Sequence, residues 1–408
     1  MEMVKVSKGL MINFPAEGHI NPTIGLVKEL VKRGEKIVYY CEDAYVNKLK
    51  GTGVEFRGYK DLLQEFNVEN RVKYMFDKEE MLLRLCIAID KTFPEILKEI
   101  KNEKFDYIIF DSHFLLGQML AEKLQIPAIG TCTTFAMNEK MLRNFSTKFG
   151  GEKSNSEKMK RCEEILKKLA AENGLQGFTN IEEVMKHMLH YHGDMQLVFT
   201  SKQFQPFGES FNDTYQFVGP SISDRRIEVP FPYEKLSGRK IIYISMGTEV
   251  NNQPNLYKVC FQALRDLEVD VVMSVGREIK LEKLGEVPGN FIICEYVPQL
   301  EILRKAALFI THGGMNSVNE GLYFGVPLIV LPIVNDQPVV AKRVEELGAG
   351  IACDYKDITM EKLSKAVGEI LTNNTYREKS FSIGSQFKAA GGFQKAADEI
   401  LRCIKRES

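Results

Sequence analysis

Along nearly its whole length this chain alternates short, strongly apolar runs with amphipathic segments of helical period, and that alternation admits few folds. An apolar run followed by a helix reads as one strand of a parallel sheet, because the helix is the crossover that returns the chain to the sheet's starting edge. Residues 10–14 predict a strand, 22–33 a helix closed by Gly34, and 36–41 a second strand. Residues 95–102 read as a helix leading into a strand at 107–110, and 117–124 as a helix leading into a strand at 128–131. Residues 140–191 are charged and mostly helical in pattern, broken at Gly150-Gly151, and 197–201 return to strand. Near Gly219-Pro220 the texture changes, and Pro220, Pro230 and Pro232 punctuate a polar run up to Gly238 that reads as an interdomain linker. A second series follows, with strands at 241–245, 270–275, 291–294, 308–311 and 328–332, and helices at 254–267 and from Asn316. The expected architecture is α/β: two nucleotide-binding-like domains facing one another across a cleft. Their spans are 1–219 and 239–390, joined by a linker at 220–238 and followed by a terminal helix within 391–408.

Ligands of such sheets bind beyond the carboxyl ends of the strands, and the densest chemistry of the chain falls at one such end. The apolar run Ala307, Leu308, Phe309, Ile310 gives way to Thr311-His312-Gly313-Gly314-Met315-Asn316-Ser317, preceded by Tyr296-Val297-Pro298-Gln299 and followed by Glu320 and Asp336-Gln337. Where a strand passes into a helix, backbone N–H groups point outward unpaired and can hold an anion. Gly313 and Gly314 allow a large group to approach the backbone, Asn316 and Ser317 can cap the helix and add donors, and Glu320 can take the two hydroxyls of a ribose. The segment reads as a site for a nucleotide diphosphate.

These residues resemble the donor-binding signature of the plant and bacterial UDP-sugar glycosyltransferases of the GT-B fold, especially the bacterial macrolide and flavonoid enzymes. The resemblance extends over essentially the whole chain, through Gly18-His19-Ile20-Asn21-Pro22, Phe110-Asp111-Ser112 and Ser245-Met246-Gly247-Thr248, in the order that family shows. It implies two Rossmann-like domains, an acceptor pocket walled by the charged helical stretch of the first, and a terminal helix crossing back onto that domain. Two features depart from the pattern: Tyr296 stands where the family usually has tryptophan, and the segment is slightly shorter than the plant version.

Composition excludes several other classes. A formal net charge of −1 with 27% charged residues is not the balance of a polyanion-binding protein, so no nucleic-acid partner is expected. Eight cysteines occur without a C-x-x-C pair, several within apolar runs (Cys41, Cys86, Cys294), which suits reduced, buried thiols better than disulfides or zinc. The amino-terminal strand has no long apolar signal segment and no span approaches membrane length, so a soluble cytoplasmic monomer without stable membrane insertion is expected.

His19, beside Gly18 in the first strand-to-helix loop, would project into the cleft, where an imidazole with an ordinary pKa of about 6.5 can accept a proton; capping the next helix or contacting phosphate are its alternatives. Asp111, ending its strand, would hold the histidine tautomer and stabilise the imidazolium, or else cap a helix. Asp106 and Asp90 are its rivals, one preceding the strand and one within a helix. His312 reads as a phosphate ligand at the helix start, with a structural histidine as the alternative. Gly247 and Thr248 form a second donor loop, while Tyr296 would stack on uracil as Val297 and Gln299 read its edge. Asp336 and Gln337 take the sugar hydroxyls by resemblance, although Asp336 could simply start the helix that Pro338 enters. The histidines His187, His190 and His192 with Asp194 read as a solvated helix end rather than a metal site, and no Asp-x-Asp motif is present to carry a divalent ion.

The resemblance implies an inverting, metal-independent transfer of a hexose, glucose first, from a UDP-sugar to a hydroxyl of a lipophilic flavonoid, phenol or macrolide. No cofactor is expected, since the UDP-sugar is a co-substrate. The alternatives are transfer to a lipid or cell-wall precursor, or a nucleotide-sugar-binding protein without turnover. A dehydrogenase is disfavoured because Pro15-Ala16-Glu17-Gly18-His19 is not the glycine fingerprint of dinucleotide binding.

Overall fold

The computed structural model describes residues 6–59, 73–74, 77–138, 141, 156–178, 184, 193–223, 230–277, 279 and 281–406. The chain forms two compact units, Met1–Ser223 with Ala390–Ser408, and Asp224–Ala389. The first holds a seven-stranded sheet and the second a six-stranded one, every strand pair parallel. His187, His190, His192 and Gly150-Gly151 lie outside the described residues, as do residues 224–229 of the proline-punctuated segment.

In the first unit the strands are β1 (Lys8–Ile12), β2 (Lys36–Cys41), β3 (Glu55–Gly58), β4 (Tyr107–Asp111), β5 (Ala128–Cys132), β6 (Met195–Val198) and β7 (Tyr215–Phe217), in the order β3-β2-β1-β4-β5-β6-β7. In the second they are β8 (Lys240–Ser245), β9 (Val269–Ser274), β10 (Phe291–Cys294), β11 (Ala306–Thr311), β12 (Leu328–Val330) and β13 (Gly350–Ala352), in the order β10-β9-β8-β11-β12-β13. Both sheets carry the doubly wound order, reversing direction between the first and fourth strands of the unit. Helices cover both faces, so the central strands are continuously apolar: Leu10, Met11, Ile12, Ile108 and Ile109 are fully buried in the first unit, and Ile242, Ile244, Leu308 and Ile310 in the second.

The α/β reading holds, with differences that have local causes. Proline misplaced two helix starts. The first helix runs over Glu17–Lys32 with Pro22 inside it, five residues before the expected start, and Lys78–Ile100 carries Pro94 in its last turns where residue 95 was the expected beginning. Proline's fixed φ is helical, so each helix tolerates it at the loss of one backbone donor. The strands missed by hydropathy, β3, β7 and β13, are short and partly exposed, and lack a continuous apolar run. Residues 140–191 contribute one described helix, Glu157–Asn173, capped by the Ser156 side chain and closed by left-handed Gly174. The helices Met360–Thr372 and Asn374–Ala389, unread from sequence, also cover the second unit.

The last helix, Gly392–Arg406, belongs to the first unit. Its Ala396, Ala397 and Ile400 are fully buried there, the Gly392 N–H donates to the Val218 carbonyl at 2.6 Å, and Arg33 pairs with Asp398 at 2.5 Å. Gly25 permits this packing, since a Cβ at that position would meet Phe393 and Ser223 at 2.9 Å.

Beneath the start of the first helix lies a buried polar knot. The Tyr39 hydroxyl on β2 is 2.7 Å from Thr23 Oγ1 and accepts from Asn13 Nδ2 at 2.7 Å; Thr23 donates to the Ile20 carbonyl, and Asn13 Nδ2 also approaches the His19 carbonyl at 3.3 Å. Burial raises the Tyr39 phenol far above its usual range, so it stays neutral. The knot fixes the turn that carries His19. Tyr39→Phe should lower the unfolding free energy by about 1–2 kcal/mol, because Asn13 loses its strongest acceptor and Thr23 a partner. Urea denaturation checks this, and an unchanged midpoint would mean that the knot does not hold the turn.

Candidate functional site

In the first unit the chain leaves β1 through Asn13, Phe14, Pro15 and Ala16, and the first helix then begins at Glu17. His19 is therefore in the first helical turn rather than in a loop, and it is not the cap, a position held by Ala16 without a side-chain bond. Asp111 is the last residue of β4, the neighbour of β1. The two side chains meet: His19 Nδ1 lies 2.6 Å from Asp111 Oδ2, and Asp111 is completely buried. A carboxylate can only accept, so Nδ1 carries the proton and Nε2 the lone pair. Burial alone would raise the Asp111 carboxyl, but the charges and hydrogen bonds of His19 and His113 outweigh it and hold the group well below the usual carboxylate range.

Asp111 does not cap the following helix, Leu115–Leu124, whose cap position is Phe114. Its rivals are engaged elsewhere: Asp106 accepts from the Lys8 N–H at 2.8 Å, and Asp90 pairs with Lys168 at 3.4 Å.

Sequence reasoning missed two residues here. Thr133, just beyond β5, places Oγ1 3.2 Å from His19 Nδ1. His113 donates its backbone N–H to Asp111 Oδ1 at 2.9 Å, while its ring Nδ1 is 3.6 Å from the same oxygen. A polar residue one step beyond a strand adjoining the strand-order reversal was the available signal for Thr133. For His113 it was the position two residues after Asp111. Phe14 adds an aromatic face, its ring centroid 4.7 Å from that of His19.

In the second unit β8 and β11 are the corresponding neighbours, with Ser245 opposite Thr311. His312 follows β11 and is packed between two glycines. A Cβ on Gly247 would stand 2.6 Å from its Cε1, and one on Gly314 2.5 Å from its Nε2. Gly247 and Gly313 also have φ of +79° and +89°, a conformation that disfavours any side chain. Burial pushes the His312 imidazole down to about 4, against a smaller opposite effect from its hydrogen bond to the Ser245 backbone. The ring is neutral at ordinary pH, with its one N–H engaged by the Ser245 backbone. The helix Met315–Tyr323 starts immediately afterwards, with Gly314 at the cap position. Asn316 and Ser317 are thus inside its first turn and are not the caps expected from sequence. Their backbone N–H groups belong to the set that a helix leaves without helical partners, which is an anion-binding arrangement.

Around this start the remaining residues fall into three groups. Glu320 is buried on the same helix and accepts from Gln299 Nε2 at 2.6 Å, while Gln299 Oε1 accepts from the Tyr243 hydroxyl at 2.9 Å. The Gln299 side chain thus links Tyr243 to Glu320. Tyr296 is exposed, with the Arg277 guanidinium 5.3 Å over its ring, and Val297 beside it is buried. Gln337 abuts Gly313, and its Oε1 accepts the N–H groups of Ile333 and Val334 at 2.8 and 3.0 Å, so that oxygen holds a loop. Asp336 occupies the cap position of the helix Gln337–Glu346 but makes no side-chain cap bond. Thr248 is exposed, and the buried Asn251, unremarked in the sequence, donates to the carbonyls of Gly247 and Thr248 at 3.1 and 3.4 Å and pins their loop. Among the described residues there is no group of three or more His, Cys, Asp or Glu arranged to hold a metal ion, and no helix long and apolar enough to cross a membrane.

Comparison with known proteins agrees with this geometry. Residues 228–389 match the family described as UDP-glucoronosyl and UDP-glucosyl transferase. The chain is 40% identical over 401 residues to the uncharacterized UDP-glucosyltransferase YojK of Bacillus subtilis, covering 98% of both chains. It is 37% identical to the NDP-glycosyltransferase YjiC of Bacillus licheniformis, covering 96% of both. Among solved structures, the glycotransferase of kitacinnamycin superposes with a TM-score of 0.85 at 26% identity, over 98% of this chain and all of that one. With identity of this order along nearly the full length, and two parallel doubly wound sheets, the chain belongs to the UDP-glycosyltransferase family of GT-B glycosyltransferases.

Proposed function

We propose that this protein is an inverting, metal-independent hexosyltransferase that moves glucose from UDP-glucose to a hydroxyl of a lipophilic small molecule such as a flavonoid, phenol or macrolide. The observation that carries the reading is the 2.6 Å contact between His19 and buried Asp111. His19 Nε2 takes the proton of the acceptor hydroxyl, whose oxygen forms a bond to the anomeric carbon from the face opposite the diphosphate. The bond from that carbon to the diphosphate breaks, and UDP leaves with the electron pair. Asp111 steadies the imidazolium formed. His312, Thr248, Asn316, Ser317 and the helix start stabilise the departing charge, in place of a cation. Glu320 takes the ribose hydroxyls, Tyr296 stacks on uracil, and Asp336 and Gln337 address the sugar. No cofactor takes part. The protein works as a monomer in the cytoplasm, a reducing compartment suited to its eight free cysteines. The names of the Bacillus relatives support a nucleoside-diphosphate sugar as donor.

Replacing the base tests the centre of this proposal. His19→Ala should lower kcat/KM for an alkyl alcohol acceptor by roughly 10²–10⁴-fold, the usual contribution of a positioned base, with UDP affinity unchanged. Asp111→Asn should lose most activity as well. A folded His19→Ala protein that transfers at the wild-type rate removes His19 as the base.

The second test concerns metal. Excess EDTA should leave turnover with UDP-glucose unaltered. Activity that is lost on chelation and restored by magnesium or manganese would contradict leaving-group stabilisation by backbone donors alone.

The neutral state of His312 has its own signature. Its folded pKa of about 4 lies below the ordinary 6.5, so between those values the unfolded chain binds a proton that the folded one refuses. The stability it supports is full above pH ~6.5 and falls as pH drops toward ~4, by about 3 kcal/mol at the limit. His312→Gln should flatten that part of the stability-against-pH curve. A variant curve parallel to wild type would show that folding leaves the His312 pKa unshifted.

A further inference from the structure

Among the described residues the most exposed large apolar side chain is Phe381, at 65%, and it has no part in the reaction above. It stands on the helix Asn374–Ala389, whose Ser380, Ile383, Gly384 and Phe387 are buried. Arg377 and Lys388, four residues before it and seven after, share its outward face and are exposed. A Cβ on Gly325 would meet the Phe381 backbone at 3.3 Å and its ring at 3.4 Å, so Phe381 lies across the end of the helix Met315–Tyr323. There the half-buried rings of Tyr323 and Phe324 meet edge to face, 5.3 Å between centroids. Lys388 sits 5.1 Å over the Tyr323 ring and Arg304 5.4 Å over that of Phe324. Beside Arg304, Lys305 lies 5.5 Å over Tyr233, a ring 39% exposed. Aromatic rings and cations thus alternate from Lys388 to Tyr233. Lys305, Arg377 and Lys388 make no ion pair among the described residues, so their charges face solvent uncancelled. The carboxylates on these segments are Glu301, which accepts from the Tyr233 hydroxyl, and Glu378 beside Arg377. Lys305 and Gly325 precede β11 and β12, so the face lies at the amino ends of the parallel strands, away from the His312 loop at their carboxyl ends.

We propose that this face of the second unit docks on an anionic lipid bilayer, with Phe381 entering the interface and the cations resting among the headgroups. Unpaired cations are drawn to a negatively charged surface, and an exposed phenyl ring gains by leaving water for the acyl boundary. A cation held over a ring keeps its charge outward while stem and ring together form an apolar flank. That combination is amphipathic in the sense a headgroup layer requires. A protein partner would need a socket for Phe381, whereas a bilayer needs none. The contact is peripheral, since no described helix is long and apolar enough to cross a membrane. Because the face is at the amino ends of the strands, docking leaves the proposed phosphate site of the same unit open. The docking does not rest on the reaction proposed above, although a lipophilic acceptor would concentrate in the same bilayer.

The sequence contains no tryptophan, so Phe381→Trp installs a single fluorescent reporter on this face. The full-length variant is mixed at low salt with vesicles of phosphatidylglycerol and phosphatidylcholine in equal parts, with phosphatidylcholine vesicles alone, and with polyglutamate. Its emission should move to shorter wavelength with the anionic vesicles only. Raising the salt to about 1 M, where the screening length is about 3 Å, should reverse the shift. Met360→Trp is the control: that residue is 38% exposed and follows β13 at the carboxyl ends of the strands, so its emission should stay unmoved. In co-sedimentation with the anionic vesicles, Lys305→Gln and Lys388→Gln should each weaken partition by about fivefold. Phe381→Ser should weaken it by about tenfold, with thermal midpoints checking that each variant is folded. Wild-type protein that does not sediment with anionic vesicles overturns the proposal. So does binding that leaves the emission at position 381 unmoved, since another face would then be on the bilayer. An equal shift with polyglutamate also overturns it, because the face would then suit an acidic protein.

Discussion

The functional chemistry of this chain depends on one topological constraint, the reversal of strand order beside the first strand of each sheet. Between β1 and β4, and again between β8 and β11, consecutive crossovers leave to opposite faces, so the loops at those carboxyl ends part and open a crevice. Whatever residues follow the two strands become neighbours there, however distant in sequence. His19 and Asp111 meet across 92 positions for that reason, and Gly247 touches His312 in the second unit by the same geometry. The strands beneath are buried on both faces, which makes the platform stiff.

On these two equivalent platforms the electrostatics are opposite. Asp111 is buried, but its contacts with His19 and His113 more than offset the desolvation, so a full negative charge sits under the rings. In the proposed reaction that charge faces the imidazolium formed on His19. His312 has no carboxylate partner; burial between Gly247 and Gly314 makes its charged form unfavourable. The glycines at 247 and 314 are therefore as much electrical as steric: by letting the backbone close over the ring they exclude water from it.

Much of this was legible in the sequence, and what escaped has physical reasons. The central strands announced themselves because burial on both faces demands unbroken apolar runs, whereas the edge strands β3, β7 and β13 answer to no such demand. Helix starts were expected at Pro22 and just after Pro94, yet each proline sits inside a helix whose other bonds outweigh its missing one. Asp111 could be named because it ends a strand, and His19 because it falls where the first strand passes into a helix. The caps could not be read correctly: Asn316 and Ser317 have the chemistry of caps, but Gly314 occupies that position, since the turn after His312 needs a residue without a side chain. Thr133, His113 and Asn251 were silent because a sequence shows chemical capability and not contact. Only the folded positions of their strands give them partners.

The proposed donor site also divides unevenly between what is built in advance and what is not. The carboxylate of Glu320 is already aimed by Gln299, which is in turn oriented by the Tyr243 hydroxyl on β8, a chain of bonds at 2.6 and 2.9 Å among buried or half-buried groups. Glycine conformations and a helix start fix the phosphate donors to the same degree. The base position has no such frame: Tyr296 is exposed, smaller than the tryptophan usual there, and shadowed only by a surface arginine. Ordering a side chain on binding costs entropy that a preorganised group does not. Uracil and thymine differ by a single methyl group, which an exposed ring distinguishes poorly. On the proposed reading, selectivity among nucleotides arises at the ribose, where Glu320 would meet two hydroxyls or one, and the pyrimidine ring would serve as an apolar anchor.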